Sequence, residues 1–193
     1  MVRRKVRAKS KPVLGKQMTA AQYLEGWRER KTWAHNYNDR HALRFNWLAK
    51  NIVGEKFADI GCALGHSTEL LARMHPGNWT GVEFNIEAVN DAVEQFHGIP
   101  FVYVENIAAL PRLGKFDTVV CSEVIEHVED PAALLLSLLE ITGKRLLMTT
   151  PCKNVGDPGH VRIYDDATLA SLFTGLDYGV DKDSIFYKIA VNA

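Results

Sequence analysis

Cysteine is scarce in this chain of 193 residues: Cys62, Cys121 and Cys152 are all it has. An odd number at irregular spacing excludes a disulfide framework and a cysteine zinc site, and it points to a reducing, cytosolic setting. Long apolar runs are missing as well. No stretch approaches the ~20 residues that cross a bilayer, so no membrane span is expected and the protein is read as cytoplasmic. The N-terminus lacks the apolar core of a secretory signal. It is arginine-rich and acid-free, as a mitochondrial presequence is, but it does not alternate as an amphipathic helix. No internal repeat occurs. Residues 1–16 have no acidic residue, yet they hold seven of the 23 basic ones (Arg3, Arg4, Lys5, Arg7, Lys9, Lys11, Lys16), so the body of the chain is acidic. Such an arm suits nucleic acid or another polyanion as partner; a disordered, solubilising tail is the plainer reading.

What is present is ordinary for a globular protein: 47% hydrophobic and 24% charged residues, in a length that suits one well-buried domain. The pattern divides the chain into a basic arm over 1–18, an N-terminal helical segment over 19–54 and a main domain over 55–193. Helices are expected over 19–31, with Thr19 as N-cap, and over 38–52, with Leu43, Trp47 and Leu48 on one side and Gly54 ending it. From residue 56 strands and helices alternate. "KFADI", "NWTGVEF", "PFVYVE", "FDTVVCS" and "KRLLMTT" read as strands. Helices lie between them: 67–75, one capped by Asn85 with Ile86, Val89, Val93 and Phe96 inward, and one opened by Asp130-Pro131 and closed by Gly143. "ATLASLF" is a helix capped by Asp165 or Asp166 and ended by Gly175, and the tail has room for a two-stranded hairpin. Alternation at this pace means an α/β, doubly wound, Rossmann-like sheet, with ligands bound at the carboxyl ends of its strands.

The turn "DIGCALG", 59–65, lies between the first strand and its helix. Its glycines let backbone approach a ligand. It is not GxGxxG, and there is no Gly-Lys-Ser/Thr, so a phosphate is not the ligand. Glu83 ends the second strand, where an acid can accept from both hydroxyls of a ribose. Asn106 and Ile107, after the third strand, are placed to contact an adenine. The ligand therefore reads as a nucleoside without phosphates.

"FADIGCALGHS", "GVEFN", "ENIAALP", "FDTVVCSEVIEHVEDP" and "LLMTTP", in that order and spacing, resemble the class I S-adenosylmethionine-dependent methyltransferases over about residues 55–190. The resemblance implies a mostly parallel seven-stranded sheet with an antiparallel C-terminal hairpin strand, and S-adenosylmethionine as cofactor. Asp59, Gly61 and Gly65 would line its methionine end and Glu83 its ribose, with Asn106 and Ile107 at the adenine. Ala63, Phe84 and Ser122 belong to the same set. Ala63 stands where the family's first motif has a glycine, and Asn106 where it has an acid.

The residues after the fourth strand bear on the acceptor. An Asn/Asp-Pro-Pro-Tyr/Phe motif for amino-group transfer is absent, and Cys121-Ser122-Glu123-Val124 stands there instead. Cys152, after the fifth strand, falls near the nucleophile of RNA cytosine-5 enzymes, but the partner cysteine is missing; an inert thiol is the plainer reading. "EVIEHVEDP" with "GHVRIYDDATL" resembles the ubiquinone-biosynthesis-type O-methyltransferases, and small-RNA 2′-O-methyltransferases share part of it. The resemblance implies transfer to a hydroxyl oxygen of a small molecule. The alternatives are an RNA or nucleotide-linked 2′-O-methyltransferase and a non-catalytic partner subunit of this fold. His127 and His160 are the candidates for general base, since imidazole titrates near neutrality. Glu123, Glu126, His127 and His160 together form a candidate divalent-metal site of a kind some of the resembled enzymes carry, with a donor set that suits Mn²⁺, Zn²⁺ or Fe²⁺ better than Mg²⁺. Arg162 and Tyr164 are expected at the acceptor pocket. Trp27, Trp33, Tyr37 and Trp47 lie where this fold carries a lid.

Overall fold

A computed structural model of the chain describes residues 18–31 and 38–193. Most of the basic arm therefore lies outside the described residues, as do Trp33 and Tyr37. Two helices come first, α1 (Ala20–Arg30) and α2 (Asp39–Asn51). Thr19 and Gln22 form a reciprocal capping box on α1, and Asn38 caps α2 by accepting from His41 N–H. Each cap satisfies an N–H that the first helical turn leaves without an intrahelical acceptor.

The remaining elements alternate. They are β1 (Lys56–Ile60), α3 (His66–Met74), β2 (Asn78–Glu83), α4 (Ile86–Gln95), β3 (Phe101–Tyr103), β4 (Phe116–Ser122), α5 (Pro131–Ile141), β5 (Thr142–Pro151), α6 (Asp166–Leu172), β6 (Tyr178–Lys182) and β7 (Phe186–Asn192). They form a seven-stranded sheet in the order β3-β2-β1-β4-β5-β7-β6. Pairing is parallel from β3 through β5, while β7 runs antiparallel to both β5 and β6. The expected mostly parallel sheet with an antiparallel hairpin strand is what the chain forms. The strand order reverses between β1 and β4, where such sheets open a crevice at their carboxyl ends.

Side-chain alternation explains why the central strands are largely apolar on both faces, their few buried polar residues being hydrogen-bonded. Phe57, Val120 and Leu147 point to one face, where they meet Phe45, Leu48 and Ile52 of α2 with Leu71 and Trp79. Their neighbours Ala58, Val119 and Leu146 point to the other, against Leu134, Leu138, Leu169 and Leu172 of α5 and α6. A strand covered on both faces favours apolar residues at successive positions. Full burial of a leucine here is worth roughly 1.5–3 kcal/mol.

Four local expectations are corrected. In α2 the buried stripe is Arg44, Phe45 and Leu48, continued by Ile52 just past its end, while Leu43 is 60% exposed. The helix stops at Asn51 with an extended Ile52, so Gly54 belongs to the turn beyond it. In α4 the inward face is Ala88, Val89 and Ala92, small enough to sit close on the sheet; Ile86 and Val93 face water. Gly143 does not close α5. The helix runs straight into β5 at Thr142, whose hydroxyl donates to Leu138 C=O, and Gly143 is a strand residue. The caps by Asn85, Asp130 with Pro131, and Asp165 are formed as expected.

The helical segment 19–54 divides in two. α2 is a core helix. α1 lies across the carboxyl edge of the sheet, where Leu24 and Trp27 pack on Leu64 and Ala88. Asn85 Nδ2 donates to Ala20 C=O at 3.0 Å, and Arg28 meets Asp91 at 2.6 and 2.8 Å. Trp47 packs in the α2 core. No helix among the described residues is long and apolar enough to cross a membrane.

Candidate active site

The turn after β1 places three left-handed residues within five: Gly61 (φ 78°), Ala63 (φ 49°) and Gly65 (φ 82°). Closeness adds to the demand for glycine at two of them. A Cβ at Gly61 would lie 2.5 Å from Val124, and one at Gly65 would lie 2.8 Å from the Phe101 ring. Ala63 holds its conformation with a Cβ, at a cost of roughly 1–2 kcal/mol. Glycine there loses about half of that gain to unfolded-chain entropy. Ala63→Gly is therefore expected to stabilise the protein by about 0.5–1 kcal/mol; an unmoved or lowered urea midpoint would show that the turn carries no strain.

Two buried carboxylates organise this turn. Asp59 Oδ2 accepts from Ser67 Oγ at 2.8 Å and Thr68 Oγ1 at 2.7 Å, fixing the start of α3. Glu83 Oε2 accepts from Ala63 N at 2.8 Å, while its Oε1 accepts from Phe84 N at 2.7 Å and Asn85 N at 3.1 Å. Burial pushes both carboxyls above their ordinary values, against the pull of these donors. A carboxylate offers about four acceptor sites. Three of those of Glu83 are taken by backbone donors.

Asn106 is exposed, and its Oδ1 accepts from Ala108 N at 3.0 Å, capping the short 3-10 turn Ile107–Leu113. Ile107 is half-buried against the core. Phe84 stands with Tyr103 on the wall of a cleft of about 600 Å³, whose other wall is α1 from Ala20 to Glu29. Ser122, at the end of β4, lies 2.8 Å from Thr149 Oγ1, which donates to Glu123 Oε1 at 2.9 Å.

The residues after β4 face the same edge. Glu126 is 1% exposed. Its Oε2 accepts from Thr150 Oγ1 at 3.1 Å, but its Oε1 has no hydrogen-bond partner among the described residues and lies 3.9 Å from His160 Nε2. Burial, reinforced by the charge of Glu123, pushes its carboxyl well up. His127 Nδ1 lies 3.0 Å from Gly159 O and 2.9 Å from Tyr23 Oη. Burial pushes His127 below its ordinary value, and burial with the neighbouring His127 brings His160 down to about 4. Both imidazoles are therefore neutral at neutral pH, the state that binds metal or takes a proton.

Glu126, His127 and His160 offer ligand atoms that all lie within 4.8 Å of one another. Two imidazoles and a carboxylate, one oxygen of which lacks a partner, fit a divalent transition ion. The structure brings together three of the four expected ligands. Glu123, itself left-handed at φ 60°, directs Oε1 to Thr149 and Oε2 toward Arg44 at 3.6 Å.

The expectation for Arg162 and Tyr164 is corrected. Tyr164 is a core residue whose hydroxyl donates to Ile125 C=O, and Arg162 caps Glu129 C=O; neither lines this edge. His160 is buried at 7% exposure. The half-buried Cys152 thiol points to Asp183 C=O at 3.7 Å.

Two residues of the site escaped sequence reasoning. Arg44 is a buried cation held over the Phe45 and Phe186 rings at 4.8 and 5.1 Å. Its signal was an arginine at a core position of the α2 stripe. Tyr23, on α1, left no signal, because its partners are more than a hundred positions away.

The strand order, the glycine-bearing turn after β1, the acid ending β2 and the histidines after β4 and β5 define a methyltransferase of the class I fold. The chain belongs to the methyltransferase-domain family: the family model described as "Methyltransferase domain" matches residues 27–182. Among curated relatives, the ubiquinone biosynthesis O-methyltransferase of Pseudomonas aeruginosa (strain UCBPP-PA14) is 32% identical over 118 residues, covering 56% of this chain and 50% of that one. The protein of the same name from Shewanella pealeana is 32% identical over 111 residues, covering 52% and 44%. The chain thus spans about half the length of the curated relatives it matches. Among solved structures, an N-methyltransferase of Bradyrhizobium japonicum WM9 in complex with S-adenosyl-L-homocysteine superposes with a TM-score of 0.70 at 17% identity, covering 91% and 98%. Magnesium protoporphyrin IX methyltransferase of Synechocystis PCC 6803 does so at 0.65, 17% identity and 90% and 98% coverage. These two likenesses concern the fold.

Proposed function

We propose that this domain transfers the methyl group of S-adenosylmethionine to a hydroxyl oxygen of a small molecule. The observation that carries the oxygen assignment is the buried Glu126, His127 and His160 cluster at the carboxyl edge. The O-methyltransferase relatives support it over the part they share. When bound, the cofactor supplies an electrophilic methyl on a sulfonium.

Each residue then has a task. The 61–65 turn and Asp59 receive the methionine part, with Arg44 as the counter-charge for its carboxylate. Glu83 accepts one ribose hydroxyl; Phe84, Asn106 and Ile107 meet the adenine, and Ser122 borders the sulfur end. α1 covers the edge and excludes water. A divalent ion held by Glu126, His127 and His160 would supply a Lewis acid for the acceptor oxygen. Without one, His127 Nε2 is the base that takes the hydroxyl proton, since its Nδ1 is committed to the Gly159 carbonyl.

The test is methyl transfer from tritiated S-adenosylmethionine to panels of phenols and alcohols, of amines, and of RNA. Label is expected in the hydroxyl panel, lost on exhaustive chelation and restored by Mn²⁺, Zn²⁺ or Fe²⁺. Full activity after chelation would remove the metal and leave His127 or His160 as base. Label in RNA that falls steeply with salt would move the assignment to a polyanionic acceptor. Cofactor binding without turnover until another subunit is added would make the chain a non-catalytic partner.

A further inference from the structure

We propose that Tyr23 is a positioning residue for His127, so that docking of α1 determines which ring nitrogen of His127 is left free to face the acceptor. The proposal rests on the reading of His127 as an acceptor-side group. It stands on a junction of three chain segments that no sequence motif announces.

The Tyr23 hydroxyl lies 2.9 Å from His127 Nδ1 and donates to Gly159 C=O at 3.2 Å. The same carbonyl lies 3.0 Å from His127 Nδ1. A carbonyl oxygen and a bare ring nitrogen would set two lone pairs against each other at that distance, so Nδ1 carries the hydrogen and shares it between the carbonyl and the Tyr23 oxygen, whose own hydrogen goes to the carbonyl. Nε2 then holds the lone pair.

What fixes the carbonyl is the question. Gly159 belongs to a stretch between β5 and α6, from 154 to 165, that contains no helix or strand. Its own N–H bonds only locally, to Asp157 Oδ1 at 2.7 Å. The hydroxyl from α1 adds a hold from a distant element. The fit is close: a Cβ at Gly159 would lie 2.5 Å from Tyr23 Oη, so any side chain there would expel it. The Tyr23 ring also meets the His127 ring edge-on, with centroids 5.4 Å apart, and stacks on Trp27 at 5.8 Å. Ring and hydroxyl together set the plane of the imidazole and its tautomer. α1 is thereby a working part of the acceptor site as well as its cover.

The experiment uses the full chain, stripped of metal and labelled with ¹⁵N-histidine, with long-range proton–nitrogen correlation to read the His127 ring. It needs no acceptor and no turnover, so it stands or falls apart from the O-methylation reading. The wild-type ring is expected as the Nδ1–H tautomer. Tyr23→Phe keeps the ring stack but removes the hydroxyl, and it should shift the tautomer ratio toward Nε2–H by roughly three- to tenfold, the factor one ordinary hydrogen bond is worth. Gly159→Ala, which expels the hydroxyl without altering Tyr23, should give the same shift. A His127 signal in the wild-type tautomer in both folded variants would overturn the proposal, because the Gly159 carbonyl would then suffice alone.

Discussion

Replacing Glu83 by alanine should damage the cofactor site twice over. The first loss is direct: one charge-assisted bond to a ribose hydroxyl is worth about 1.5–3 kcal/mol, or roughly 10- to 150-fold in affinity. The second is internal. The Glu83 carboxylate is the acceptor for the backbone N–H groups of Ala63, Phe84 and Asn85, and it is 5% exposed. Deleting it strands three donors in a dry place and releases Ala63 from its left-handed conformation, at about 2–4 kcal/mol of stability. Calorimetry with S-adenosylhomocysteine and urea unfolding read the two losses separately. An unchanged dissociation constant in the folded variant would remove Glu83 from the cofactor site.

The second large effect has opposite signs for function and stability. Glu126 is buried with one oxygen lacking a partner, its neighbour His160 is held neutral, and the charge of Arg44 offsets its burial only in part. Glu126→Gln should lower divalent-ion affinity by more than about 100-fold, since losing a ligand exceeds the 10- to 100-fold cost of losing an outer partner. It should also leave the metal-free protein as stable as before or up to about 2 kcal/mol more so. The pH dependence fixes the sign. A carboxyl whose folded value is raised above its unfolded one binds its proton more tightly when folded. Its contribution is fully present below the unfolded value and is lost as pH rises through the folded one. Wild-type stability should therefore decline as pH rises above the ordinary carboxyl range, by an increment that the glutamine variant lacks. A glutamine variant that retains metal affinity, or that unfolds more easily than wild type, would count against Glu126 as a ligand.

The parts of the fold that the sequence made legible are those set by local chemistry. Asn85, Asp130-Pro131 and Asp165 announce helix starts because each satisfies N–H groups within three residues of itself. "FDTVVCS" reads as a buried strand because both its faces are covered. Where tertiary packing decides, the reading slipped. Ile86 and Val93 match a helical apolar period, but the face that meets the sheet is Ala88, Val89 and Ala92. Glu123 and Glu126 look alike in "EVIEH", yet the left-handed backbone of Glu123 sends its carboxylate toward Arg44 and Thr149. Asp59, Glu83, His127 and His160 were legible by type and order, but their second partners were not. Arg44 and Tyr23 reach the site across the fold, and spacing in the chain carries no trace of that.

The central strand β1 is hydrogen-bonded to β2 on one side and to β4 on the other, so Phe57 sits beside both Trp79 and Thr118. The edge that faces the cofactor is assembled from the ends of strands spread over a hundred residues, and no contiguous fragment contains it. A partly folded chain therefore has nothing with which to recognise the nucleoside, and recognition belongs to the native state alone. A ligand of that kind is a chaperone in the thermodynamic sense. At a hundred times its dissociation constant it adds about 2.7 kcal/mol to the native state and withdraws the unfolded chain from proteases and aggregation by the same factor. Saturation with S-adenosylmethionine is thus expected to slow proteolysis of the folded chain in vitro.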